Sequence, residues 1–380
     1  MPCIDASVPG PGLRPHRAAL PACPHGGIGD AELRALGLRR TDVLDFSAST
    51  NPLGPSPRVA EALTGLAAGG DLGRYPDDGC PRLREALAAH TGCPPDQLIV
   101  ANGSVEILWL LALAYLGPGD RVLVVGPTFG EYARAARIAG AAVVEWRAAE
   151  ARAFRPDPDV LAAAIRRTCP RLVFLCNPNN PTGVLLDCAV VTRLLAALQE
   201  GLLVVDEAYA AFADDAPRLS PLLGDGRLVL LRSLTKDYGL AGLRLGYALG
   251  ASTVIAALDR VRPPWNVNAA AEGAGLAALA DEAHLARARG EVVMARAYLA
   301  DALRHLGLRV YPPAANFLLV DVGGTPVGDG QAFRGALLRQ GICVRDCASF
   351  GLPSCVRIGV RAQAACARLV AAVTEVLRHA

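Results

Sequence analysis

The sequence predicts an α/β fold: a mostly parallel sheet covered by helices, followed by a smaller α+β domain. Short apolar runs rich in β-branched residues alternate with helical stretches or turn-rich connections, which is typical of parallel sheets. These runs are apolar throughout, so we expect helices on both faces of the sheet. After residue 266 the pattern changes to long Ala-rich helical segments that end near residue 306. This change indicates where the second domain starts.

The predicted elements follow in chain order. Residues 1–24 are rich in Pro and Gly and predict an irregular arm. Strands of the large domain are predicted at residues 97–101, 121–125, 171–176, 202–205, 227–231 and 245–249. In the smaller domain we expect strands at 316–322 and 356–360 and a closing helix from about residue 362. We assign residues 1–45 to the arm and part of the small domain, 46–265 to the large domain, and 266–380 to the C-terminal small domain.

Composition excludes several classes of protein. Of the 380 residues, 52% are hydrophobic and 19% are charged, which predicts a sizeable core rather than disorder. The net charge is +2 and the basic residues are scattered, so we expect no nucleic-acid or membrane partner. No apolar stretch reaches the roughly 20 residues of a spanning helix, and the first 23 residues lack a continuous apolar leader. We therefore expect a cytoplasmic protein that acts on a small molecule.

The spacing of cysteine and histidine argues against a metal site. The 11 cysteines are spread along the chain and form no CxxC pair. The 6 histidines form no metal-spaced cluster such as HExxH. We predict reduced structural thiols and no bound metal.

Three segments rich in polar residues follow predicted strands of the large domain. They are NPNNPTG at residues 177–183, DEAY at 206–209, and SLTK at 233–236, the last followed by GLRLG at 242–246. Ligand sites in open α/β sheets gather at the carboxyl ends of strands, so the three segments can converge in one crevice. Each alone has a plainer interpretation: Asp206 as a helix cap, Lys236 as a surface residue, and the first segment as a turn. Their joint order and spacing make the pattern specific.

The combination resembles the fold-type I pyridoxal 5′-phosphate (PLP) enzymes of the aminotransferase class I/II superfamily, from about His25 to the C-terminus. Within that superfamily the chain is similar to the branch that holds histidinol-phosphate aminotransferase and threonine-phosphate decarboxylase. Segments that resemble the decarboxylase are HGG at 25–27, LDFSA at 44–48, NPLG at 51–54, RYPD at 74–77, RSLTK at 232–236 and WNVN at 265–268. Tyr209 and FGLP at 350–353 resemble the aminotransferase. The resemblance implies that the large domain binds PLP.

The resemblance assigns the chemistry of the cofactor to a few residues. Lys236 is expected to hold PLP as a Schiff base and, once freed, to act as general acid and base. Asp206 would pair with the pyridine nitrogen and keep it protonated, since PLP works as an electron sink. Asn180 and Tyr209 would hydrogen-bond the ring 3′-oxygen. Phe129 matches the aromatic residue that stacks on the ring, and the alternative is an ordinary core Phe.

The phosphate of the cofactor needs an anion site. A helix that opens directly after a predicted strand can hold it with its first N–H groups. Ser104 and Val105, at the start of that helix, would contribute backbone donors, and the resemblance adds Ser233 and Arg244. Tyr75 matches a tyrosine that reaches into the neighbouring subunit's site, so the resemblance also implies a homodimer with shared active sites.

Arginine side chains suit the acidic groups of a substrate, because the planar guanidinium pairs bidentately with a carboxylate or phosphate. Arg357 matches the family arginine that grips the acidic end of the substrate, and Arg345 matches the second arginine of the same branch. His25 matches a decarboxylase residue that helps to bind the substrate phosphate across the dimer. Each also has a plainer interpretation, a surface charge for the arginines and a structural role for the histidine.

The pattern departs from that of the decarboxylase on the substrate side of the site. Where that family has an asparagine two residues before Asn51, this chain has Ser49, and Ile28 follows the HGG motif in place of a polar residue. We count Ser49, Asn51 and Asn180 among the residues that contact the substrate. The two departures alter the pocket for a substrate phosphate and leave the cofactor residues unchanged.

The main functional prediction is decarboxylation of L-threonine O-3-phosphate, in cobalamin biosynthesis, supported by the HGG, LDFSA and WNVN segments. One alternative is an aminotransferase of the histidinol-phosphate type, supported by Tyr209 and FGLP. Another is a PLP enzyme of specialised metabolism that catalyses elimination or carbon–carbon bond formation. A non-enzymatic regulatory role would need a DNA-binding segment, and the short arm shows no helix-turn-helix pattern. Substrate pose decides which bond at Cα is cleaved, so the residue inventory leaves the reaction open.

Overall fold

The structure is a computed structural model, and it describes residues 12, 17, 20–21, 23–24, 26–69 and 71–379. Its helices in chain order are α1 (Asp30–Ala35), α2 (Pro57–Ala68), α3 (Pro81–Thr91), α4 (Ser104–Tyr115), α5 (Glu131–Ile138), α6 (Pro158–Thr168), α7 (Cys188–Ala197), α8 (Leu234–Asp237), α9 (Ser252–Val261), α10 (Ala269–Leu279), α11 (Glu282–His305), α12 (Gly330–Arg339) and α13 (Gln363–His379). Its strands are β1 (Leu44–Asp45), β2 (Leu98–Ala101), β3 (Arg121–Gly126), β4 (Ala142–Arg147), β5 (Leu172–Cys176), β6 (Leu202–Asp206), β7 (Leu228–Ser233), β8 (Gly246–Gly250), β9 (Arg309–Val310), β10 (Phe317–Asp321), β11 (Ile342–Cys343), β12 (Arg345–Asp346) and β13 (Cys355–Gly359).

The large sheet has the strand order β2-β8-β7-β6-β5-β3-β4. Neighbouring strands run parallel except β8, which is antiparallel to β2 and to β7. Side chains alternate between two cores, because successive residues of a strand point to opposite faces. In β6, Leu203 and Val205 join helices α3, α6, α7 and α10, whereas Leu202 and Val204 join α4, α5 and α9. The predicted fold class, a mostly parallel sheet covered by helices on both faces, is confirmed.

The six strands predicted in this sheet correspond to β2, β3, β5, β6, β7 and β8, with ends that differ by at most two residues. The sequence does not predict the edge strand β4. Continuous apolar runs mark strands that are buried on both faces, and β4 is exposed or half-buried along its length. Glu145 and Arg147 interrupt its apolar run, as an edge position permits.

The smaller sheet has the order β12-β13-β10-β9 and is antiparallel throughout. Strands β10 and β13 confirm the two strands predicted for this part of the chain, and α13 confirms the closing helix. Leu318 and Ile358 of this sheet pack with Leu299 of α11 and Val373 of α13. Strand β1 pairs in parallel with β11 and so joins residues 44–45 to the C-terminal region.

Within the part of the chain that the structure describes, no helix is both long enough and apolar enough to cross a membrane. Among the same residues, no group of three or more His, Cys, Asp or Glu side chains is placed to hold a metal ion.

Candidate active site

A cavity of about 620 Å³ lies at the carboxyl ends of β5, β6 and β7. Cys176, Asp206 and Ser233, the last residues of these three strands, all line it. The small sheet closes another side through Arg345 on β12 and Arg357 on β13. The cavity therefore occupies the crevice in which open α/β sheets bind their ligands.

The cavity wall contains most of the residues singled out from the sequence: Ser49, Ser104, Val105, Phe129, Asn180, Asp206, Tyr209, Ser233, Lys236, Arg244, Arg345 and Arg357. Asn51 and Tyr75 are not part of this wall. The Asn51 side chain bonds backbone groups of the protein. The Tyr75 side chain is 80% exposed and stacks on Trp265 with ring centroids 4.5 Å apart. His25 lies outside the described residues.

Asp206 is a buried carboxylate that accepts two hydrogen bonds. The hydroxyl of Tyr132 donates to Oδ2 at 2.7 Å, and the backbone N–H of Ala208 donates to Oδ1 at 3.0 Å. Burial raises the pKa of Asp206, while both donors and the charge of Lys236 oppose this rise. The arrangement can hold a negative charge on the Asp206 carboxylate in the cavity wall.

Lys236 lies in the one-turn helix α8 and lines the same cavity. Burial and the positive charges of Arg357 and Arg244 lower the pKa of Lys236 to about 8, and the charge of Asp206 acts in the opposite direction. An amine with this pKa is partly neutral near physiological pH, so it can act as a nucleophile or a base.

The chain contains a single lysine. Of its 38 Lys and Arg residues, only residue 236 is a lysine. A Schiff base with a carbonyl compound needs a primary amine, so no other side chain of this protein can form one. This composition signal, present in the sequence itself, makes the choice of Lys236 unique among the side chains.

Helix α4 presents an anion site to the cavity. The first N–H groups of a helix have no partner within it, and α4 begins at Ser104 without a side-chain cap that would bond them. Gly103 holds the preceding turn with φ +78°, and a Cβ on Gly246 would lie 2.5 Å from the Ser104 nitrogen. The two glycines therefore leave the N-terminus of the helix open to an anion.

Hydroxyl and guanidinium groups complete this anion site. The hydroxyls of Ser233 and Thr235 are 2.6 Å apart, and both residues line the cavity together with Arg244. Arg244 adopts φ +60°, and a Cβ on Gly103 would lie 2.7 Å from its Nη2. A phosphate monoester fits this set of backbone, hydroxyl and guanidinium donors.

The loop after β5 is held in place by its own side chains. Asn177 exchanges hydrogen bonds of 3.0 and 2.8 Å with the backbone of Leu186, and Asn179 donates at 2.9 Å to a carbonyl of the loop after β3. These bonds leave Asn180 in the cavity wall, where its Oδ1 accepts a hydrogen bond of 2.5 Å from Nη1 of Arg357. The large and small sheets thus meet through this pair.

Arg357 is 5% exposed, and the described residues accept hydrogen bonds from only some of its guanidinium nitrogens. Its Nη2 donates to the carbonyl of Ser47 at 2.6 Å, but its Nε has no hydrogen-bond partner among the described residues. The hydroxyl of Ser49, also buried in the cavity wall, lacks a partner within that same set. Buried polar atoms without partners cost free energy, so the two groups favour a polar ligand in this part of the cavity.

Arg345 is the second arginine that the small sheet contributes to the cavity wall. Its Nη2 donates to the carbonyl of Pro24 at 2.8 Å and to the Ser349 hydroxyl at 2.7 Å. Burial lowers the pKa of Arg345, the charge of Asp346 opposes this, and the charge of Arg357 adds to it. Two guanidinium groups on the side of the cavity that the small sheet closes favour an anionic ligand there.

Thr235 and Tyr132 are among the residues of the cavity wall that the sequence analysis did not assign to the site. Thr235 lies inside the SLTK motif, and Tyr132 follows Phe129 by three residues. The rings of Phe129 and Tyr132 meet edge to face with centroids 5.6 Å apart. Proximity to a recognised motif was the available signal in both cases.

Comparisons with known proteins agree with this geometry. A histidinol-phosphate aminotransferase of an Anaeromyxobacter species is 39% identical over 373 residues, which cover 97% of this chain and 99% of the relative. One from Symbiobacterium thermophilum is 42% identical over 330 residues, which cover 86% of this chain and 88% of the relative. The crystal structure of histidinol-phosphate aminotransferase from Sinorhizobium meliloti in complex with pyridoxal-5′-phosphate superposes with a TM-score of 0.87 at 29% identity. That match covers 98% of this chain and 99% of the other.

The family model described as aminotransferase class I and II matches residues 41–373. This match spans both sheets and every described residue of the cavity wall after residue 40. The resemblance predicted from the motifs is thereby confirmed, and so is PLP as the cofactor, since the enzymes of this family use it. The chain belongs to the aminotransferase class I and II family of PLP-dependent enzymes.

Proposed function

We propose that the protein is an aminotransferase of the histidinol-phosphate type, which transfers the amino group of histidinol phosphate to a 2-oxo acid. The observation that carries the proposal is the similarity to a histidinol-phosphate aminotransferase along nearly the whole chain, at 39% identity over 97% of its length. The comparisons favour this alternative over the main sequence prediction, decarboxylation of threonine phosphate, which they do not support.

The residues of the cavity fit PLP. When bound, PLP supplies an electron sink that stabilises the negative charge developing at the substrate Cα. We assign its covalent attachment to Lys236, the single side-chain amine of the chain. We assign the contact with its ring nitrogen to Asp206. The hydrogen bonds from Tyr132 and Ala208 favour the ionised carboxylate, which would hold a proton on that nitrogen.

The remaining cofactor contacts follow from the wall of the cavity. The N-terminus of α4, with the hydroxyl of Ser233 and the guanidinium of Arg244, is the proposed phosphate site. Burial raises the pKa of Tyr209 to about 12, so its hydroxyl stays protonated and can donate to the ring oxygen. Asn180 is the proposed second donor to that oxygen, and Phe129 the proposed stacking partner of the ring.

Lys236 has a second proposed role in proton transfer. A free amine with a pKa of about 8 lies near the working pH, where a general base is most effective. Its Nζ can accept the proton from the Cα of the amino substrate. Exchange of this proton, rather than loss of a carboxylate, distinguishes transamination from decarboxylation.

We assign the anionic group of each substrate to Arg357 and Arg345. Transamination needs one site that accepts the phosphate of the amine donor and the carboxylate of the 2-oxo acid in turn. A guanidinium serves both, because its planar fork pairs with either group. Nε of Arg357 and the hydroxyl of Ser49, which have no partner among the described residues, supply further donors on the same wall.

We also propose that the active form is a homodimer. Tyr75 is the residue for which the family resemblance implies contact with the neighbouring subunit. Its ring lies outside the cavity of its own chain, is 80% exposed and stacks on Trp265, which is itself 47% exposed. An exposed aromatic pair of this kind is typical of a protein interface. Sedimentation of the purified protein tests this assignment.

Two parallel assays test the proposed reaction. The holoenzyme is incubated with histidinol phosphate and 2-oxoglutarate, and glutamate is measured; separately it is incubated with O-phosphothreonine, and carbon dioxide is measured. We expect glutamate in the first assay and no carbon dioxide in the second, with Lys236→Ala inactive in both. Carbon dioxide without glutamate would support the decarboxylase instead. Arg345 and Arg357, the two arginines on the small-sheet side of the cavity, suit a substrate with two anionic groups.

A further inference from the structure

The segment before helix α2 packs directly against the turn that carries Lys236. The backbone N–H of Asn51 donates to the carbonyl of Lys236 at 2.9 Å, and its side-chain Nδ2 donates to the carbonyl of Asp237 at 2.9 Å. Its Oδ1 accepts a hydrogen bond of 2.9 Å from the backbone N–H of Leu53. Asn51 is 2% exposed and does not line the cavity.

These bonds satisfy carbonyl groups that helix α8 cannot satisfy itself. The last carbonyls of any helix lack intrahelical partners, and α8 has only four residues. Lys236 and Asp237 are its last two residues, and Asn51 supplies a donor to the carbonyl of each. A residue distant in sequence therefore caps the C-terminal end of the lysine turn.

The two segments also approach each other closely at their backbones. Gly239, just after α8, adopts φ +71°, and a Cβ there would lie 2.7 Å from the carbonyl carbon of Gly54 and 2.9 Å from the nitrogen of Pro55. Only glycine permits this contact. The turn that carries Lys236 is thus held against residues 51–55 by hydrogen bonds and by close packing.

We propose that Asn51 is a positioning residue that fixes the turn carrying Lys236, and that it does not bind the substrate. The inference rests on the proposed role of Lys236 as the cofactor lysine. It replaces the substrate contact expected for Asn51 from the sequence. Loss of the Asn51 side chain frees the Asp237 carbonyl and leaves only the backbone bond to the Lys236 carbonyl. The Lys236 amine then samples positions away from Asp206, Arg244 and Arg357.

Two substitutions separate the contacts of Asn51. Asn51→Asp keeps the acceptor for the Leu53 N–H and removes the donor to the Asp237 carbonyl, whereas Asn51→Ala removes both. Asn316→Ala is the matched control, because Asn316 is also fully buried and its Nδ2 donates to the carbonyl of Thr50 at 3.3 Å, next to the same segment. Ser49→Ala serves as a second control in the cavity wall.

Hydrogen exchange of the cofactor-free protein is the first measurement. We expect the amide hydrogens of residues 234–240 to exchange at least about 10-fold faster in both Asn51 variants. Exchange in the strands of the large sheet should be unchanged. Asn316→Ala is expected to leave exchange of this segment unchanged. Equal exchange in wild type and in both Asn51 variants would overturn the proposal, whether or not activity changes.

The holoenzyme supplies a second, independent measurement. In the Asn51 variants we expect the visible absorbance of the Lys236-attached cofactor to titrate at a different pH, and kcat to fall by up to about 100-fold with little change in KM. Ser49→Ala should show the opposite pattern, a raised KM with a preserved absorbance titration. If Asn51→Asp raised KM and changed nothing else, Asn51 would be a substrate-binding residue, as the sequence predicts.

Borohydride reduction separates failure of this inference from failure of the proposed function. Reduction should fix the cofactor on the peptide that contains Lys236 in wild type and in both Asn51 variants. No label on this peptide in wild type would overturn the role of Lys236 and the inference together. A normal label with unchanged hydrogen exchange would overturn the inference alone.

Discussion

The hydroxyl of Tyr132 donates a 2.7 Å hydrogen bond to Oδ2 of Asp206, and both side chains are buried. Burial raises the pKa of the Asp206 carboxyl group, and this hydrogen bond opposes the rise. It therefore favours the ionised form of Asp206, which we propose to hold the proton on the cofactor ring nitrogen. Tyr132 also stacks on Phe174 with ring planes 7° apart, so its hydroxyl has a fixed direction.

Tyr132→Phe is expected to lower kcat about 10- to 100-fold. A hydrogen bond to a charged group contributes about 1.5–3 kcal/mol, and its loss corresponds to this range. The pKa of Asp206 rises without this donor, so the acidic limb of the kcat–pH profile should move to higher pH. Phe174→Leu, which removes the stacking ring and keeps the hydroxyl, is the control. An unchanged pH profile in Tyr132→Phe would show that the bond does not govern Asp206.

Gly246→Ala is expected to weaken PLP binding by about 10-fold or more, on the scale of one lost hydrogen bond to a phosphate. The new Cβ would lie 2.5 Å from the Ser104 nitrogen and 3.0 Å from the Arg232 carbonyl oxygen, so the start of α4 must shift. Absorbance titration of the cofactor-free protein with PLP measures the change. Gly250→Ala in the same strand is the control, since its Cβ would meet side-chain atoms at no less than 3.5 Å. Equal affinities of the two variants for PLP would show that the N-terminus of α4 does not bind the phosphate.

Arg345→Ala is expected to raise KM for histidinol phosphate about 10- to 100-fold, equivalent to about 1.5–3 kcal/mol for a hydrogen bond to a charged group. Arg345→Lys should recover part of this loss, because the charge returns without the planar fork. The cofactor absorbance should be the same in both variants. A normal KM in Arg345→Ala would show that Arg345 does not bind the anionic group of this substrate.

Lys236 is expected to make the stability of the cofactor-free protein depend on pH. Its pKa is about 8 in the folded state and 10.5 as a free side chain, so the unfolded chain binds this proton more tightly. Its unfavourable contribution to the free energy of unfolding is therefore present in full below pH 8 and disappears as pH rises towards 10.5. The difference in urea midpoint between wild type and Lys236→Met, followed across this window, isolates the effect from other groups. A constant difference would mean that the amine is not perturbed.

The strands of the large sheet could be predicted because each forms one continuous apolar run between polar turns. The edge strand β4 could not, because its exposure permits Glu145 and Arg147 within it. The cavity residues that lie in motifs at strand ends, such as Asp206 and Lys236, were also within reach of the sequence, since parallel strands bring their carboxyl ends together.

Other parts of the site depend on contacts between segments distant in sequence. Asn51 is separated from Lys236 by 185 residues, so no local pattern shows that it bonds the turn carrying this lysine rather than facing the cavity. Tyr132 carries no motif of its own, and only the packing of α5 against the large sheet brings its hydroxyl to Asp206. Neither relationship follows from spacing, because each is set by how helices and loops pack on the sheet.

The placement of the only lysine in the cavity wall makes the active site chemically addressable in the intact protein. Reagents directed at primary amines meet only Lys236 and the chain's α-amine, because every other basic side chain is a guanidinium or an imidazole. Acylation at Lys236 would therefore appear as one mass adduct on one peptide. Protection of that peptide by a candidate cofactor or inhibitor would report occupancy of the cavity directly, without a substrate assay and without any engineered label.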